Sequence, residues 1–109
     1  MTYIPDKGDI VSLNFDPSSG SEIMKNRPAL VISRKNFNQH TGFAIVVPIT
    51  STKRGMALEV PLSETSTQGV ILIHQLRSLD VESRSIRFIE KAPEAITDKA
   101  TKMAVVIIQ

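Results

Sequence analysis

The 109-residue sequence predicts a mainly β, α+β fold: a small, strongly curved antiparallel barrel with a C-terminal helix. Three observations lead there. Short apolar runs rich in β-branched residues recur along most of the chain. Clusters of turn-forming residues separate them. Only the segment after Pro93 switches to helical spacing.

The elements follow in order. From Asp9 to Phe15, Val11, Leu13 and Phe15 share one face, with Ser12 and Asn14 on the other. Asp16-Pro17-Ser18-Ser19-Gly20 ends that strand as a turn. Ala29 to Ser33 and Phe43 to Val47 read as two further strands, and the polar stretch Asn36 to Gly42 between them as a loop or short helical turn. Thr50 to Gly55 is a second polar loop. Leu58, Val60 and Leu62 alternate with Glu59 and Pro61, and the proline marks an edge strand. Gly69 to Gln75 is an apolar strand that Arg77 to Asp80 continues after a bulge or bend. Ser85 to Glu90 alternates, with Ile86 and Phe88 inward and Arg87 outward. Pro93 suits the first turn of a helix, along which Ile96, Ala100, Met103 and Ile107 form an apolar face. The β-branched tail Val105 to Ile108 pulls the other way, toward a strand.

Length suits one domain, 1–109, with one core. Tryptophan is absent, so the core is aliphatic with four phenylalanines. The lack of cysteine excludes disulfides, thiol catalysis and zinc–thiolate sites, and fits a reducing compartment. Asp6, Lys7 and Asp9 interrupt the N-terminus, so no signal peptide is expected. Apolar stretches such as Phe43 to Ile49 are too short to cross a bilayer. The expected location is the cytoplasm, with no membrane partner. Net charge is +2. Lys25 with Arg27, Arg34 with Lys35 and Lys53 with Arg54 fall in or beside loops. They are either scattered solubilising charges or, if the loops converge, a basic surface for phosphates.

The two histidines, His40 and His74, have no metal-ligand spacing and no accompanying carboxylate cluster, so no cofactor is expected. No glycine-rich phosphate loop or nucleophile elbow is present. Arg27 is more informative. It stays protonated at working pH, and its fork matches two phosphate oxygens. Pro28 biases it toward extended backbone at a strand mouth. The bland alternative is a surface arginine paired with Glu22. Thr50, at the end of the apolar run to Ile49, can donate a hydroxyl hydrogen bond to a phosphate oxygen or bond its own backbone.

The segments KGDIVSLNFDPSSGSE (7–22), RPALVIS (27–33), FN (37–38), VVPITS (46–51) and GVILIHQLRSLD (69–80) resemble, in order and spacing, the MazF/PemK family of toxin endoribonucleases. The resemblance implies an SH3-like β-barrel, shared with toxins of the CcdB kind, and a two-fold homodimer. It implies sequence-specific, metal-independent cleavage of single-stranded RNA, mRNA above all. Attack by the 2′-hydroxyl would leave 2′,3′-cyclic phosphate and 5′-hydroxyl ends and arrest translation. It also implies an antitoxin with an acidic, disordered tail.

Carried onto this sequence, the family's catalytic arginine falls on Arg27, its threonine on Thr50 and the glutamate beside the arginine on Glu22. The surrounding RNA-binding set is Lys7, Lys25, Asn26, Ser51, Lys53, Arg54, His74, Gln75 and Arg77. One departure stands out. His74 occupies a position where relatives carry Asp, Glu or Asn, and Leu72 stands where one branch has an arginine. His74 can move a proton near neutrality, read a base, or be an exposed histidine with no role.

Two other readings exist. A CcdB-like gyrase poison acts through a tryptophan-bearing tail, whereas this chain ends AVVIIQ. An inactive RNA- or protein-binding barrel would have no reason to keep Arg27, Glu22 and Thr50 together.

Overall fold

Apolar strands with buried partners on both sides organise the chain. The computed structural model describes residues 3–52, 55 and 57–109. Strands β1 (Asp9–Asn14) and β2 (Asn26–Val31) lead to helix α1 (Lys35–Thr41). Then come β3 (Phe43–Thr50), β4 (Glu59–Pro61), β5 (Val70–Leu72), a 3₁₀ turn (Ile73–Gln75), β6 (Arg77–Asp80), β7 (Arg87–Lys91) and helix α2 (Glu94–Ile108).

The antiparallel sheet runs β4-β5-β3-β2-β1-β7, and β6 pairs with β3 as well. The long β3 makes this possible. Its first half pairs with β6, from Phe43↔Asp80 to Val46↔Arg77. Its end pairs with β5, as Ile49↔Ile71 and Thr50↔Val70. The expected antiparallel sheet with a C-terminal helix is therefore present, but the barrel does not close. β4 and β7 remain edges. β4 has only three residues, ending in Pro61, which has no N–H to extend a ladder.

Both faces of the sheet are covered. Val11, Leu13, Phe15, Ala29, Val31 and Leu72 belong to one buried cluster. Ile10, Leu30, Val47, Ile71 and Ile73 belong to another, which Ala100 and Ala104 of α2 complete. In β1, Val11 and Leu13 meet the first cluster while Ile10 meets the second and Ser12 and Asn14 are only partly buried, which gives the strand its alternation.

Four elements differ from the sequence reading. β2 starts at Asn26 rather than Ala29, because Arg27 pairs with Leu13 and Asn26 with Asn14. Residues 35–41 form a full helix, stopped by Gly42 at φ 76°. The run from Gly69 leaves the sheet after Leu72 in a 3₁₀ turn, which is the bend expected before Arg77. Phe88 points outward, 51% exposed, against the inward assignment. A register shift between Ile10 and Val11 breaks the alternation of β7, and the ring instead meets Tyr3 edge-on at 5.9 Å.

The tail of α2 is helical to Ile108, so backbone continuity overrides the β-branched preference. Its packed face is Thr97, Ala100 and Ala104, flanked by Ile96 and Met103. Ile107, expected in that face, is 42% exposed. The last turn, Val105 to Ile108, is exposed throughout.

Candidate functional site

Strand register places the two principal side chains. β2 and β3 pair as Ala29↔Pro48, Leu30↔Val47 and Val31↔Val46. Arg27 lies two residues before Ala29, and Thr50 two residues after Pro48. Because strand side chains alternate, both lie on the face shared by Ala29 and Pro48, at the same end of adjacent strands.

Each is held differently. Arg27 is exposed, and its Nε donates to the Met24 carbonyl at 3.3 Å. It makes no ion pair among the described residues, so the guanidinium is not consumed by Glu22. Thr50 is buried. Its hydroxyl oxygen accepts the Thr52 N–H at 3.2 Å, which leaves the hydroxyl hydrogen to donate elsewhere. Behind it, Gly69 has φ 131°, and a Cβ there would sit 2.3 Å from the Thr50 carbonyl oxygen. Only glycine allows that approach. The sequence reading missed Gly69 as a site-supporting residue. Its signal was a glycine immediately before a buried apolar strand.

The turn leading to Gly69 is anchored from β7. The Glu90 carboxylate accepts the Ser66 N–H at 3.0 Å, and the Thr67 N–H and hydroxyl at 2.7 Å each. These bonds, Ser66 first, hold its pKa below the ordinary glutamate value.

The 16–25 segment roofs the site. Its base is closed where the Phe15 N–H meets the Lys25 carbonyl at 2.9 Å, and where the Asp16 carboxylate accepts the Lys25 N–H at 3.0 Å. Lys25 turns back at φ 66°. Arg84, also missed from sequence, donates to the carbonyls of Asn14 and Asp16. Glu22 is exposed, and its carboxylate accepts the Ser19 N–H at 2.7 Å. Ile23 is buried and plugs the roof into the core.

Under this roof lies a cleft of about 320 Å³, lined by Ser21, Glu22, His74, Gln75, Leu76 and Arg77. The Gln75 side chain accepts the Ile23 N–H at 2.8 Å and donates to the Ser21 carbonyl at 3.2 Å. Arg77 donates to the Phe15 carbonyl at 3.0 Å and lies 5.9 Å above that ring. The cleft and Arg27 are thus tied to the same Ile23–Met24 segment.

Other expected residues are dispersed. Asn26 faces a separate polar cavity with Ser12, Ser85 and Arg87. Ser51 is exposed, next to Thr50. Lys7 lies at the far end of the sheet, where the adjoining Gly8 bonds Val31, and lines a cavity with Lys91, Glu94 and Asp98. Lys53 and Arg54 lie outside the described residues. Among the described residues, no group of three or more His, Asp or Glu is placed to hold a metal ion, and no helix is long and apolar enough to cross a membrane.

Fold and site together define a small antiparallel-sheet protein that presents a guanidinium and a hydroxyl donor at a roofed strand end, an arrangement for gripping an anionic oxygen group. The model of the PemK-like, MazF-like toxins of type II toxin–antitoxin systems matches residues 6–107, and the chain belongs to that family. It is 40% identical over 82 residues to the endoribonuclease toxin MazF of Escherichia coli K12, covering 75% of this chain and 74% of that one. It is 39% identical to the endoribonuclease toxin ChpB of the same organism, covering 87% and 86%. The crystal structure of MazF from Deinococcus radiodurans superposes with a TM-score of 0.92 at 35% identity, covering 98% of both chains. A MazE–MazF complex from that organism contains a similar chain, with a TM-score of 0.86 at 34% identity, covering 97% of both.

Proposed function

We propose that this chain is the endoribonuclease toxin of a toxin–antitoxin pair and cuts single-stranded RNA, mRNA above all, at short sequences. The observation that carries the reading is the register that brings Arg27 and Thr50 to one face and one end of β2 and β3. RNA supplies its own nucleophile, the 2′-hydroxyl. The enzyme must hold it in line with phosphorus, take its proton, meet the growing negative charge and protonate the leaving 5′-oxygen.

In this mechanism Arg27 grips the scissile phosphoryl group with its Nη groups, and Thr50 donates a further hydrogen bond to the same oxygens. Glu22 or His74, both on the cleft, takes the 2′-hydroxyl proton. The oxygen attacks phosphorus, the P–O5′ bond breaks, and the 5′-oxygen takes a proton from a water molecule, to which the protonated base then returns its own. The products are a 2′,3′-cyclic phosphate and a 5′-hydroxyl, formed without a metal or cofactor. Lys25, Ser51 and Arg77 flank the track of the strand, Lys53 and Arg54 are further RNA-binding candidates by residue type, and Asn26 and Lys7 reach only RNA that continues past it.

The chain acts in the cytoplasm as a homodimer, and the exposed apolar turn Val105 to Ile108 is the face a second copy would cover. The antitoxin lays an acidic segment over the Arg27 end. The test is a digest of single-stranded RNA in EDTA with end-group analysis. Cyclic phosphate ends are expected, together with complete resistance when a 2′-deoxy nucleotide stands at the cleavage site. Cleavage of that deoxy substrate overturns the mechanism.

A further inference from the structure

Resting on that reading, we propose that Gln75 is a positioning residue for Glu22. Its primary amide carries two acceptor and two donor positions, and the roof takes one of each. The carbonyl side takes the Ile23 N–H at 2.8 Å, and the amino side meets the Ser21 carbonyl at 3.2 Å. These two backbone groups flank Glu22. The side chain therefore pairs with the roof as a neighbouring strand would, across more than fifty residues of sequence.

Without it, the Ser21 carbonyl and the Ile23 N–H lose this shared partner. The roof is otherwise held by the bonds of Asp16 and Phe15 to Lys25, of Arg84 to Asp16 and of Arg27 to Met24, and by Ile23 in the core, and none of these bonds reaches the Ser21 carbonyl. The Glu22 carboxylate itself bonds only within the roof, to the Ser19 N–H, among the described residues. Gln75 is thus the link that fixes Glu22 relative to His74 across the cleft. The amide is specific for the task. A glutamate at 75 would still accept from Ile23, but it would set a carboxylate oxygen against the Ser21 carbonyl.

The test is a cycle of Glu22→Ala, Gln75→Ala and the double variant, with kcat and KM measured on one single-stranded RNA. Amide hydrogen exchange is followed at Ile23 in parallel. Gln75→Ala is expected to lower kcat by about 10- to 100-fold, the scale of a misplaced catalytic group, with KM within about twofold. In the Glu22→Ala background the same change should alter kcat by less than about threefold, because the two residues act as one unit. Exchange at Ile23 should quicken in Gln75→Ala, and less so in Gln75→Glu.

A raised KM with unchanged kcat, additive losses in the double variant, or full activity of Glu22→Ala would each overturn the assignment. Unchanged exchange at Ile23 would overturn the clamp itself. A parent protein that cuts no RNA would overturn the proposed function, and the exchange measurement, which needs no substrate, would then decide the clamp alone.

Discussion

The two ends of the β1–β2 pair handle charge in opposite ways. At the Asp9 end the carboxylate is buried and fully engaged. It takes the Tyr3 hydroxyl, the Asp6 N–H at 3.0 Å and the Lys91 ammonium at 2.8 Å. Tyr3 is itself pushed well above its ordinary pKa, first by burial and then by its bond to Asp9. At the Arg27 end the guanidinium is exposed and touches one backbone carbonyl. A charge surrounded by its own protein's partners is structural. A charge held by its backbone, with its polar edge left outward, is available to a ligand.

The largest effects should separate these ends. Arg27→Ala is expected to cut RNA cleavage by about 10²–10³-fold, the scale of losing an oxyanion donor, while the melting temperature stays put. Asp9→Ala is expected to do the reverse. The Lys91 side chain is 57% exposed, so the ion pair itself contributes little. The Tyr3 hydroxyl and Asp6 N–H lose their acceptor, which costs about 1–3 kcal/mol of stability. The folded fraction should cut RNA at the parental rate. Denaturant titration beside the cleavage assay checks both, and a stability loss in Arg27→Ala with normal cleavage would erase the distinction.

Gly69→Ala comes next and blurs the two categories on purpose. The new methyl group would meet the Thr50 carbonyl oxygen at 2.3 Å, and the residue would be held at φ 131°. Both stability and activity should fall. Because Thr50 is displaced rather than removed, the rate loss should be about tenfold to 10²-fold. Thr50→Val, which keeps the shape and deletes the hydroxyl, should lower the rate with a smaller change in melting temperature. Equal melting for parent and Gly69→Ala would show that the β3 end yields freely.

These contrasts also mark what the residues alone reveal. β1 was legible because one fully buried face, opposite the half-buried Ser12 and Asn14, imposes a period of two on it, and α2 because Ala100 and Ala104 keep helical spacing. Phe88 was not, since the register shift between β1 and β7 and the edge position of β7 are tertiary facts. Arg27 and Thr50 were legible as residue types suited to phosphate at strand ends. Their shared face became apparent only from the register of β2 against β3. The contacts of Gln75 and Arg77 were illegible, because each bonds a carbonyl or N–H more than fifty residues away. Side-chain identity states what a group can bond, not what the fold has already bonded to it.

The smallest effect tests whether the two ends communicate through β7. Lys91 serves the Asp9 end, and the adjacent Glu90 pins the Ser66–Thr67 turn that leads to Gly69 and Thr50. Hydrogen bonds lower the folded pKa of Glu90, so its contribution to stability is fully present above the unfolded value of about 4.3. That contribution is lost as pH falls through the lower folded value. Glu90→Gln removes the charge and turns an amide N–H toward donors that need an acceptor. At neutral pH the variant should melt slightly below the parent, and the gap should shrink as pH drops below about 4 and both side chains become neutral. Thr67 amide protection, with exchange corrected for the pH dependence of the intrinsic rate, should fall in the parent only under acid, and be low in the variant at every pH. A melting gap that persists unchanged into acid would mean that the bonds to Ser66 and Thr67 are not what lowers the Glu90 pKa. The turn behind Thr50 would then be held by the β5 ladder alone.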